Sequence, residues 1–322
     1  MEPAIAMSDL DHEAEPELRH ALAQGDAMLS SIGPILGHLL TAPDHSLFSD
    51  EIVARVRGML TDLARQILWR QAEAAGDKRS EAFLDRHGEP LSKHLQKISN
   101  LLSHCHALAI EWQLSERLEK QSGLDPVLSP LMQRQIADPD PTAANAAMAL
   151  LAAQARFTQS QRRMELPLAQ LPGELFHETL IAWRSYCGHP SSEAVERAEL
   201  SLRHDYDESA ARQVLLQRLI ASPDNEAGSG ALDIADAGAA IFFTALAHFS
   251  GQPRDLAVLS SHRNQIVRLG LGLRAAGLEA TYIDEILIRL HPGAAPIGGL
   301  EDLDREDARA ILRDAAHRLE RG

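Results

Sequence analysis

The chain is poor in cysteine, in aromatic residues and in positive charge, and each shortage closes a class of function. Cys105 and Cys187 are the only cysteines among 322 residues. That is too few for a disulfide framework or a cysteine-rich zinc site, and it fits a reducing compartment. Lysine and arginine number 31 against 46 aspartates and glutamates, a formal net charge of −15. Nucleic acid and anionic lipid recruit proteins through a lysine and arginine excess, so neither is an expected partner. Long apolar runs are missing as well. The greasiest stretch, residues 231–249, carries Asp233, Asp236 and His248 and reads as a core helix, not a membrane span. The opening MEPAIAMSDLDHEAEPE is acidic and lacks the basic start and apolar centre of a secretory signal, so a cytoplasmic location is expected. Alternating Val/Ile/Thr runs punctuated by Asn-Gly or Asp-Gly are also missing, which argues against sheets.

What remains is helix. Hydrophobic residues make up 45% of the chain and aromatics only 4%, and the long segments are filled by Ala, Leu, Arg, Glu and Gln, which lose least on entering a helix. The apolar periodicity predicts helices near 15–24, 27–41, 50–75, 79–87, 90–121, 126–137, 142–164, 173–187, 191–221, 231–249, 254–276, 279–290 and 302–320. Asp50 and Glu51 complement the positive end of a helix dipole. Pro90, Pro126 and Pro172 fit first helical turns. Gly123, Gly188, Gly251 and Gly277 fall where helices should stop. The expected fold is all-α: a multi-helix bundle or irregular stacked helical array of about 12–13 helices with no sheet. The break Asp138-Pro139-Asp140-Pro141 divides an N-terminal helical region, 1–139, from a C-terminal one, 140–322, because each proline pushes its predecessor out of the α region. Residues 222–230, SPDNEAGSG, read as a flexible loop by composition.

Within residues 232–278 stands the string Phe242-Phe243-x-Ala245-Leu246-Ala247-x3-Gly251, followed by Leu259 and by Leu273-x-Ala275-Ala276-Gly277-Leu278. This string resembles the C-terminal part of an uncharacterised bacterial family of all-helical, helical-repeat-like proteins of unknown function. The segment beginning at Leu47 resembles that family's early helix. The resemblance covers about a third of the chain. It implies a helical fold with a bias toward protein interaction, and carries no activity, cofactor or catalytic residue to transfer.

Fifteen histidines in an acidic chain raise a metal hypothesis. On the helix expected at 90–121, Leu91, Ile98, Leu101, Leu102, Cys105, Leu108 and Trp112 form one apolar face, with His94 inside it. His104 and Glu111 share a flank, whereas His106 lies about 200° round from His104, so one ion cannot be held by both. Glu-x-x-His, the spacing of di-iron bundles, occurs at Glu17/His20 and Glu174/His177, but neither pair projects both side chains toward its helix's apolar stripe. The metal candidates are therefore His94, His104, Glu111, Glu174 and His177, with solvated or structural histidines the simpler expectation.

Gly270-Leu-Gly272-Leu-Arg-Ala275 matches the dinucleotide fingerprint in letters only, since no strand precedes it; close helix packing explains the glycines better. His204-Asp205-Tyr206-Asp207-Glu208 lies in a helix expected over 191–221 and reads as a solvated ion-paired face. On 231–249, Asp233, Asp236, Ala240, Thr244 and His248 form a small and polar stripe that suits a seam between helices or a pocket lining. No nucleophile, base and oxyanion donors stand in order. The expected function is a non-enzymatic protein-interaction or regulatory scaffold that binds another protein or a second copy of itself and needs no cofactor. The alternative is a metal-dependent or small-molecule-binding enzyme with its site inside a helical bundle.

Overall fold

The computed structural model describes residues 11–41, 50–76, 80–188, 192–221 and 230–319. Among these residues are fourteen α-helices and three short 3-10 turns, with no strand. The helices are α1 (Asp11–Thr41), α2 (Asp50–Ala75), α3 (Ser80–Leu95), α4 (Ser99–Ser122), α5 (Pro130–Ile136), α6 (Pro141–Arg162), α7 (Gly173–Cys187), α8 (Glu193–Asp205), α9 (Arg212–Ala221), α10 (Ile234–Ser250), α11 (Arg254–Leu259), α12 (Ile266–Ala275), α13 (Ala280–Leu290) and α14 (Arg305–Leu319). No helix of the described residues is long and apolar enough to cross a membrane.

The chain divides into two compact units. One comprises residues 33–222; the other is assembled from residues 1–32 and 223–322. The division therefore does not fall near residue 140. There, Asp138-Pro139-Asp140-Pro141 ends α5 and starts α6: the Asp140 side chain accepts from the Thr142 and Ala143 N–H groups, with Pro141 in the first turn. The break is sharp, yet α5 and α6 pack against each other and stay in one unit. The second unit boundary lies at 222/223, and most of the loop expected at 222–230 falls outside the described residues.

In the 33–222 unit, α2 is the axis. It packs against α3, α4 and α8 and buries Val56, Met59, Leu60, Leu63, Ile67 and Leu68 completely, a face too broad for a surface helix. The α4 face expected from periodicity is buried at Leu101, Leu102, Cys105, Leu108 and Trp112. The single helix expected over 90–121 is two, because α3 ends at Leu95 and Ile98 is the extended residue before α4. Pro90 sits inside α3, not at a helix start. The chain turns at 96–98 because α3 packs on α2 and α7 whereas α4 must also reach α6, and tertiary packing overrides helix propensity. The helix expected over 191–221 is likewise two. Tyr206 leaves α8 in extended conformation and stacks its ring on Phe176, centroids 4.0 Å apart and 7° from parallel. The Asp207 side chain then accepts from Ser209 N–H.

In the discontinuous unit, α10 is buried along most of its length and bends at Gly238, whose φ of 71° and ψ of 166° only glycine adopts readily. Phe242 and Phe243 pack edge to face, 5.1 Å apart. Of the polar stripe on α10, Ala240 and Thr244 are buried, Arg254 donating to Thr244 Oγ1 at 2.9 Å, while Asp233 and Asp236 are half-buried and His248 is exposed. Gly270 and Gly272 lie inside α12, where a Cβ would come within 2.7 Å of Ile297 Cδ1 and 2.9 Å of Gln252 Nε2 respectively, so both serve close packing. The first part of α1 is tied to α12 by charge. Arg268 donates through Nε and Nη2 to Asp26 Oδ1 at 3.0 and 2.5 Å, and through Nη1 to Gln252 Oε1 at 2.8 Å. The Arg268 and Asp26 side chains are 0% and 7% exposed, so neither can fall back on water.

Arg268→Ala should lower the unfolding free energy by about 3–5 kcal/mol by leaving Asp26 a buried, unpaired charge. Urea denaturation measures this, and the double change Asp26→Leu/Arg268→Met should recover most of the loss.

Candidate functional site

The most constructed part of the 33–222 unit is not a helix but the α6–α7 connection, residues 163–172. It begins with a residue in an uncommon conformation. Arg163 and Met164 N–H close the end of α6 on Ser160 and Gln161 carbonyls, and Glu165 N–H returns to Ser160 O at 2.8 Å. Met164 has φ of 58°, the one positive value among described non-glycine residues. A left-handed side-chain residue carries strain that its surroundings must offset. Its neighbour is Gly58 of α2, where a Cβ would lie 2.6 Å from Met164 Cβ and 2.7 Å from Met164 O. Only glycine lets the connection lie this close to α2.

Two further residues of α2, one and two turns on, hold the connection by its backbone. Asp62 Oδ2 accepts from Leu166 N–H at 2.9 Å and from Gln66 Nε2 at 2.7 Å. Gln66 Nε2 also donates to Leu166 O at 3.0 Å, while Gln66 Oε1 accepts from Leu168 N–H at 2.9 Å. The Gln66 amide thus pairs with the chain much as a neighbouring strand would. Gly58, Asp62 and Gln66 recur every four residues and so form one stripe. Burial lifts the Asp62 carboxyl to about 6, opposed by the Leu166 N–H and reinforced by the charge of Glu165.

From the other side, the segment around α9 completes the grip. Tyr206 OH donates to Leu171 O at 2.8 Å, Gly173 N–H donates to Glu208 Oε1 at 2.9 Å, and Arg212 N–H donates to Gln170 Oε1 at 3.0 Å. The Arg212 guanidinium then turns inward. It forms a two-pronged pair with Glu111 of α4, Nη1 to Oε1 at 2.7 Å and Nη2 to Oε2 at 3.0 Å, with side chains only 3% and 0% exposed. Nη1 also donates to Gln154 Oε1 at 3.0 Å, and the guanidinium carbon sits 3.6 Å from the Phe157 ring centre. Charge-assisted, forked pairs of this kind are the strong ones.

The connection held in this way forms one wall of two concavities. The first, about 480 Å3, is a groove between α2, α3 and α8, with Trp69, Arg65 and Arg70 of α2 on one side and Phe176, Leu202 and Tyr206 opposite. The second, about 330 Å3, lies between the last turns of α6 and the connection. Ala169 borders both.

The sequence-predicted candidates lie elsewhere or serve other ends. His94 is half-buried on α3 with its ring 6.0 Å from that of Tyr186, and burial lowers its pKa first, the charge of Lys97 second. His104 is fully buried on α4. Glu111 is buried against Arg212, and so is a structural anion. Glu174 and His177 are exposed on α7, His177 lying 3.4 Å from Arg203 Nη2. Among the described residues no three His, Cys, Asp or Glu side chains converge where they could hold a metal ion. His204 is exposed, and Glu208, expected to pair with it, instead accepts from Gly173. Asp62, Gln66, Gln154 and Arg212 were not singled out by sequence. The signal that could have found the first two is the four-residue recurrence of Gly58, Asp62 and Gln66 along α2. No family model matches the chain, and comparison with characterised proteins and with solved structures finds no similar one.

Two outcomes follow from this geometry. Gly58→Ala should destabilise the protein despite the gain in helix propensity of about 1 kcal/mol. Gly88→Ala in α3, where the nearest atom to a new Cβ is 3.9 Å away, should be neutral or stabilising; paired urea melts make the comparison. Asp62→Asn keeps the acceptor for Leu166 and Gln66 but removes a charge that burial opposes. The folded parent keeps this proton up to about pH 6, whereas an unfolded chain releases it near about pH 4. Stability from this group therefore declines as pH rises between those values and is constant above them. The variant should exceed the parent in Tm by more at about pH 7 than at about pH 4, and an equal difference at both would contradict the assignment.

Proposed function

We propose that the chain is a non-catalytic helical interaction module that captures a segment of a partner protein in the groove between α2, α3 and α8. The observation that carries this reading is Trp69. Of the three tryptophans, Trp112 and Trp183 are 2% and 0% exposed, whereas Trp69 is 48% exposed and lines the groove. Tryptophan is the residue whose burial contributes most at protein interfaces. Here it faces a concavity whose opposite side already holds the stacked Phe176–Tyr206 pair.

The edges set the polar requirement. Arg65 lies 3.3 Å from Glu81 and 3.6 Å from Asp85, while Arg70 lies 2.7 Å from Asp205 and 3.4 Å from Glu73. These pairs are exposed, so each contributes little to stability and can exchange partners. The fitting occupant is a segment with one large apolar side chain for Trp69 and charges of both signs beside it.

Affinity capture from the source cell with the parent and with Trp69→Ala, followed by titration of the recovered partner in purified form, tests this. The parent should retain a partner that Trp69→Ala loses by at least about tenfold. Binding should shift the exposed Trp69 emission to the blue while Trp112 and Trp183 stay silent. If every recovered protein binds the Ala variant equally, the groove is not the docking site.

A further inference from the structure

We infer that the cavity between the end of α6 and the α6–α7 connection is a binding site for a compact organic anion with an apolar body. This inference is independent of partner docking, because it rests on a different concavity and different side chains. The volume of about 330 Å3 falls at the lower end of the range for small-molecule sites.

Charge gives the ligand its sign. The lining holds two cations, Arg156 and Arg163, and one anion, Glu165, in a chain whose net charge is −15. Arg156 is exposed and forms no ion pair among the described residues, and Arg163 has only Glu165 at 3.7 Å. Both guanidinium forks are thus open to an incoming carboxylate or phosphate, the groups they match in geometry. Ser160 and Gln170 also line the cavity, and Gln170 is oriented by the bond its Oε1 accepts from Arg212 N–H. The hydroxyl of Ser160 and the amide nitrogen of Gln170 add neutral donors for an oxyanion.

The rest of the lining specifies the body. Phe157, Leu166 and Pro167 present hydrocarbon, and the Phe157 ring is fixed by the Arg212 guanidinium packed 3.6 Å from its centre. The wall needs little rearrangement, since Leu166 is tethered at both its N–H and its carbonyl by Asp62 and Gln66. A preorganised wall reduces the ordering cost of binding.

Calorimetry and thermal shift with benzoate, hexanoate and phenyl phosphate, each set against benzamide, hexanol and inorganic phosphate, test the inference on the full chain. At least one of the three amphipathic anions should bind with one-to-one stoichiometry and raise Tm at concentrations up to about 10 mM. The uncharged analogues and inorganic phosphate should bind at least about tenfold more weakly. Benzoate and hexanoate against phenyl phosphate distinguishes a carboxylate head from a phosphoryl one. Arg156→Ala, at an exposed position that leaves the ligand-free Tm unchanged, should weaken binding by about tenfold or more, and Trp69→Ala should leave it intact. Silence from all three anions overturns the site, as does binding that survives Arg156→Ala or tracks the neutral analogues. Loss in Trp69→Ala alone would move the ligand to the groove.

Discussion

A stretch of backbone without helix or sheet partners cannot be buried unless something else bonds its N–H and C=O groups. The α6–α7 connection of this protein runs into that constraint, and α2 resolves it. A glycine removes the obstacle to approach, a carboxylate takes one N–H, and one glutamine amide takes an N–H and a carbonyl two residues apart. Because these residues recur on one stripe of α2, the connection is held along that helix at points one turn apart. Both concavities, the start of α7 and the stacked Phe176–Tyr206 pair take their positions from this arrangement. Burial beneath the connection, against the two hydrogen bonds it accepts, is what lifts the Asp62 carboxyl to about 6. It lies where desolvation outweighs the bonds that favour its charge.

The two units solve burial of charge in the same way. Each pairs one arginine with one carboxylate far away in sequence, Arg212 with Glu111 and Arg268 with Asp26, and each adds a glutamine that accepts from the guanidinium, Gln154 or Gln252. Such pairs contribute less to net stability than a hydrophobic replacement of equal volume would. What they supply is register, because a helix that slides or rotates leaves a charge uncompensated.

The helical class and most buried faces were legible in the sequence, because apolar periodicity reports directly on which side of a helix faces the core. Leu101, Leu102, Cys105, Leu108 and Trp112 are buried on α4 as the period requires, and Gly123 and Gly251 end their helices in left-handed conformation. The turns at 96–98 and 206–211 were not legible. Neither contains glycine or proline, and both arise from tertiary contacts that no local pattern records. Glu111 stands out in the sequence as a metal candidate, whereas its partner is an arginine 101 positions away, and long-range pairing leaves no mark on spacing. Asp62 and Gln66 do not stand out in the sequence, since polar residues on a helix ordinarily face solvent. Only the closeness of Gly58, combined with their four-residue recurrence, distinguishes them from a wet surface.

The unit built from residues 1–32 and 223–322 is interrupted by the whole of the other. During synthesis on a ribosome, Asp26 emerges long before Arg268, 242 positions later, so its carboxylate must wait without its counter-charge while the intervening unit condenses. Assembly order is thereby imposed by chain connectivity: residues 33–222 are all made before the discontinuous unit has its second part, so that unit forms only once residues 223–322 have been added. Removing residues 1–32 or residues 223–322 therefore damages the same unit, and leaves residues 33–222 with their sequence whole.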